Sequence, residues 1–280
     1  MKKPRFLFTL MVMLVAVYAS AQDSYREAIK EFCHLSGNAS QVTFALKLLN
    51  SSLFVTDGTV DLDQLTERYF ENVLVMKAAD ELKERDVTEA EIRKLNSLLS
   101  TPAGQDFVTH RNAWTEALRS ELTTQLMRHL PEIMSGSISA PIQPNAEIES
   151  EYVNKFKKFM VASIIETYMK MFDEKNGMMG LDLLPESTKK GLTSWIEANL
   201  MALALNSAHG IITDDDLGFA TKLYTGDVFN KVQDILVINF DPANGKIGDM
   251  ISDYVNWMKE QGVTTVNGIP NLFKLLRNDI

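Results

Sequence analysis

Apolar residues recur along this chain at the i, i+3, i+4, i+7 spacing of one helical face, and short polar stretches with Gly or Pro separate the runs. Residues 23–34 carry Tyr25, Ala28, Ile29 and Phe32 at that spacing, and Ser36-Gly37-Asn38 closes the run. Val42, Ala45, Leu46 and Leu49 mark a second helix. After a break at Asp57-Gly58-Thr59, Leu65, Tyr69, Val73 and Met76 predict a longer one over 62–83. A further helix is expected from Thr88 to Ser100. Pro102 suits the first turn of the next, a long one with Phe107, Trp114, Leu118, Leu122 and Leu126 on one side. Residues 135–145 hold two prolines, no charge and no helical period, the pattern of a linker. Beyond it, Tyr152, Phe156, Phe159, Ile164 and Ile165 predict a helix over 151–172, interrupted afterwards at Gly177–Gly180. Pro185 opens another, with Leu192, Ile196, Leu200 and Leu203 inward, which His209-Gly210 ends. Val228, Val232, Ile235 and Leu236 keep the helical period, which favours helix over strand for the β-branched run 235–240. Val263 to Val266 reads as strand-like, and Ile269-Pro270 to Arg277 as one more short helix.

One stretch occurs twice. Val87-Thr88-Glu89-Ala90-Glu91-Ile92 runs on through Leu95, Leu98 and Leu99; Ile212-Thr213-Asp214-Asp215-Asp216-Leu217 runs on through Ala220, Leu223 and Tyr224. In each, the Thr hydroxyl can accept from the third N–H of the helix while the carboxylate there (Glu91 or Asp216) reaches back to the cap. Val87 and Ile212 are placed to staple onto Ile92 and Leu217. Tyr25 precedes Thr88 by 63 residues and Tyr152 precedes Thr213 by 61, so the second half retraces the first. The expected architecture is all-α, a bundle-like array of two related helical halves. The divisions are residues 1–21, 22–134, a linker at 135–149, and 150–280 as a degenerate repeat.

Residues 1–21 read as a signal peptide rather than fold. Lys2, Lys3 and Arg5 precede an apolar run over Phe6–Val17 that is too short to span a membrane, and Ala19-Ser20-Ala21 offers a cleavage site before Gln22. Its removal takes away three positive charges and no acidic residue, moving the formal charge from −9 to −12. Such an acidic surface argues against nonspecific binding of nucleic acid or anionic lipid. With a single cysteine, Cys33, no internal disulfide can form even in an oxidising compartment. An exported protein is expected, periplasmic or extracellular, with no anchor after cleavage near Ala21.

Thr88-x-x-Glu91-Ile92-x-x-Leu95-x-x-Leu98, followed by Leu99-Ser100-Thr101-Pro102-Ala103-Gly104-Gln105, resembles the exported bacterial family catalogued as domain of unknown function 2059. Phe32-Cys33-His34-Leu35-Ser36-Gly37 resembles the stretch that precedes this motif in the family. Leu98-Leu99 stands where the family has an aromatic pair and Thr101 where it has Ser; the second copy keeps Tyr224 but lacks the Pro-x-Gly corner. The resemblance covers residues 25–130 and extends only faintly over 150–260. It implies an all-α envelope protein, and it brings no catalytic residues.

Candidate chemistry is sparse. The four histidines, His34, His110, His129 and His209, form no His-Glu-x-x-His and no i, i+4 pair, so no metal site is expected. His209 stands out because Asp214, Asp215 and Asp216 follow, although carboxylates in a first helical turn also complement the macrodipole. Asp57, Asp61 and Asp63 lack the order of a calcium loop and read as a turn and an acidic helix start. Ser187 to Lys190 satisfies Ser-x-x-Lys without its companion motifs, which leaves Ser187 as a helix N-terminal residue. Cys33 has no basic residue arranged to lower its pKa and reads as a buried, inert thiol. Trp114, Trp195 and Trp257, with Met169, Met171, Met178 and Met179, fit either a core or an apolar groove. No cofactor is expected. Three functions are compatible with this inventory: a non-catalytic binding or scaffolding protein of the envelope, with envelope proteins as partners; a carrier of a small apolar ligand or lipid between the halves; and a hydrolase using His209 with the neighbouring carboxylates.

Overall fold

The structure, a computed structural model, describes residues 23–55, 60–135, 141–163, 185–238 and 246–265. The signal segment, the Asp57-Gly58-Thr59 break, Ile164-Ile165, the Gly177–Gly180 interruption, the cluster of Met169, Met171, Met178 and Met179, and the tail helix lie outside them. So does the end of the 235–240 run.

The described residues form an all-α array. Residues 23–35 are α1, followed by α2 (Asn38–Leu53), α3 (Leu62–Tyr69), a π-helical turn (Phe70–Leu74), α4 (Val75–Glu84), α5 (Glu89–Leu99) and α6 (Pro102–Ser135). Then come α7 (Ser150–Ser163), α8 (Glu186–Ala208), α9 (Asp214–Tyr224), α10 (Asp227–Ile238) and α11 (Lys246–Glu260). Gly37, at φ 75°, turns the chain between α1 and α2. Asp61 caps α3 by accepting from the Gln64 N–H at 2.9 Å, which is the acidic helix start expected there.

Two departures from the expected elements have physical causes. Val73 and Met76 are only half-buried, whereas Phe70, Leu74, Val75, Ala78, Ala79 and Leu82 face inward. The π-helical turn inserts one residue and rotates everything after it relative to an uninterrupted 3.6 period. In addition, β1 (Phe54–Val55) pairs antiparallel with β2 (Thr264–Thr265), Phe54 opposite Thr265. The strand-like character of Val263–Val266 thus becomes a two-residue ladder, too short for its partner at 54–55 to carry an alternation. Although α11 is not among the elements expected from apolar spacing, Met250, Ile251, Tyr254, Val255 and Met258 bury one face of it.

The two capped entrances share more than their caps. Tyr25 donates its hydroxyl to the Val87 carbonyl at 2.9 Å, and Tyr152 donates to the Ile212 carbonyl at 2.8 Å. The carboxylate that opens each helix is also tied to the upstream helix, Glu89 by Ser24 and Asp214 by Lys155. Phe32, seven residues after Tyr25, meets Phe229 of α10 edge-on at 6.2 Å; Phe159, seven after Tyr152, meets Phe107 of α6 edge-on at 6.3 Å. Each half therefore sends the helix after its capped one into the other half. Accordingly α6 packs on α8 and α9, while α10 packs on α4 and α5.

Further polar links fix the helices and the segment at 141–145. The indole N–H of Trp114 donates to the Ala204 carbonyl at 3.0 Å. Asn199 and Asn206 of α8 hold residues 141–145 through the N–H groups of Ile142 and Asn145 at 2.7 and 2.8 Å. On the first half, Tyr254 of α11 closes a buried triangle with Thr66 (2.6 Å) and Asn50 (2.7 Å). Buried hydroxyls and amides need such partners, so each closed contact also fixes which helices meet. Pro131 lies inside α6, and Gly191 of α8 sits so close that a Cβ would fall 2.1 Å from the Ile133 carbonyl oxygen. Among the described residues, no helix is long and apolar enough to cross a membrane.

Candidate functional site at the second helix entrance

The polar side chains that the fold concentrates lie where α9 begins. Thr213 and Asp216 form a full capping box, as Thr88 and Glu91 do at α5. One oxygen of Asp216 accepts from the Thr213 N–H at 2.7 Å and from its hydroxyl at 2.6 Å; the Asp216 N–H donates back to Thr213 Oγ1 at 3.1 Å. Here the two entrances diverge. Glu91 is half-exposed, whereas the Asp216 side chain is 4% exposed and is covered by His110 of α6, whose Nδ1 lies 2.8 Å from the same carboxylate oxygen.

An ionised carboxylate only accepts, so the hydrogen of this bond sits on Nδ1 and a neutral His110 keeps its lone pair on Nε2. The ring is 38% exposed at the side chain. Lys155 bridges Asp214 and Glu151, each at 2.9 Å, and both bonds push its pKa up. Burial, then the negative charge of Asp214 and Asp216, pushes the Tyr152 phenol up to about 12. The arrangement holds an imidazole in one orientation against a buried carboxylate, as a general base requires. The His110–Asp216 bond also joins α6 to α9.

His209, favoured from sequence as the partner of the acidic run, is exposed at the end of α8; among the described residues its ring makes no bond to Asp214, Asp215 or Asp216. Proximity in sequence was a poor guide, because α9 turns its carboxylate towards α6 instead. His110 carried no local signal, since its partner lies 106 residues away. His129 is bonded to Glu132 at 2.8 Å, and the His34 ring lies edge-on to Phe70 at 6.3 Å. No three metal-ligating side chains converge among the described residues.

The remaining candidates sit in structural positions. Ser187 is exposed in the first turn of α8 and Asp63 in that of α3. Cys33 is buried, and that burial pushes its thiol up to about 12. Trp114 and Trp195 are buried and Trp257 is partly so. Phe107, Phe159, Phe229 and Tyr224 form an aromatic cluster shared by the halves, with the Tyr224 hydroxyl buried and without a hydrogen-bond partner among the described residues. Comparison of the chain with protein-family models, curated proteins and solved structures finds no match.

Proposed function

We propose that this is an exported protein that binds or scaffolds other envelope proteins without performing chemistry on them. The observation that carries this reading is the employment of Asp216: its contact with His110 fastens α6 to α9, and the comparable groups Tyr25, Tyr152, Asn199 and Tyr254 likewise tie one segment of the chain to another. The positive amino terminus, the apolar run and Ala19-Ser20-Ala21 support export, and the likeness of residues 88–105 to domain of unknown function 2059 supports an envelope location. Cross-linking in the intact envelope tests it. The same set of proteins is expected to co-purify with the natural chain and with a His110→Ala variant. Failure to recover any reproducible partner overturns the proposal, and loss of a measurable turnover in His110→Ala replaces it with catalysis.

A second reading, carriage of a small apolar ligand between the halves, is favoured by the Tyr224 hydroxyl inside the shared aromatic cluster, which has no hydrogen-bond partner among the described residues. Native mass spectrometry of protein purified without detergent distinguishes it, through an added mass that disappears on denaturation.

A further inference from the structure

We draw no further inference here: the strongest candidate, the outward apolar stripe of Met127, Leu130 and Met134 (66%, 40% and 57% exposed) on the C-terminal part of α6, is an unpartnered helix face, and nothing in the structure shows what covers it.

Discussion

Gly104, in the first turn of α6, and Gly226, just before α10, both follow a capped helix, yet only one of them is required to be glycine. A Cβ on Gly104 would lie 2.6 Å from the Leu99 carbonyl oxygen and 2.7 Å from that of Leu98, whereas on Gly226 it would lie 3.4 Å from the Leu223 carbonyl oxygen. Backbone atoms cannot swing aside as a side chain does. Gly104→Ala is therefore expected to destabilise by about 1–3 kcal/mol, and Gly226→Ala to stay within about 0.5 kcal/mol of the natural chain. Urea denaturation of both variants checks this; equal effects would refute the assignment. The same close approach explains why the Thr-Pro-Ala-Gly corner shows in sequence at the first entrance and not at the second. Tyr224 gives the opposite case. Its buried hydroxyl has no partner among the described residues, so Tyr224→Phe removes an unmet hydrogen-bonding demand and should raise stability by about 1 kcal/mol. A thermal scan showing a lowered midpoint would mean that the hydroxyl has a use in the folded protein.

At the level of the helix, the two caps present one chemistry in two surroundings. Thr88→Ala removes an exposed cap and is expected to cost about 1 kcal/mol. Thr213→Ala keeps the backbone N–H bond to Asp216 but takes the hydroxyl's bond from that buried carboxylate, which adds a desolvation penalty of about 1–3 kcal/mol, so it should be the more harmful. Hydrogen exchange at the α9 amides, measured beside those of α5, separates the two outcomes. Both caps were legible in the sequence because a capping box is complete within four residues. The dyad of His110 and Asp216 was not, because it needs α6 laid across α9. The π-helical turn escaped for a related reason. Phe70, Leu74 and Val75 are apolar on both possible phases, and packing against the rest of the fold selects between them. Likewise β1 has no pattern of its own beyond two apolar residues, and only the arrival of Thr264–Thr265 makes it a strand.

For the molecule as a whole, stability should be limited at both ends of the pH range by the same fastenings. Burial raises the Tyr25 and Tyr152 phenols to about 12, against about 10 in an unfolded chain, so their contribution is complete below about pH 10 and is lost between there and about pH 12. Glu89 and Glu91 titrate below the ordinary carboxylate range because Ser24, Arg93 and Thr88 donate to them. Their contribution holds above about pH 4.3 and fades as the pH falls through their depressed values. Both are partly open to solvent, so the acid effect should be the smaller. Denaturant midpoints across the pH range, with phenolate absorbance followed at the alkaline end, give the comparison. Tyr25 and Tyr152 titrating near 10 in the folded state would contradict the burial argument. The all-helical plan was readable from apolar spacing, but the crossing of α6 and α10 between halves was not, since spacing says which face is inward and not which neighbour meets it. That crossing makes the covalent connection between the halves dispensable once folding is complete. A protease cut placed between Ser135 and Pro141 should leave two pieces that migrate together on a native gel and part only in denaturant, each still gripping the other by a borrowed rod.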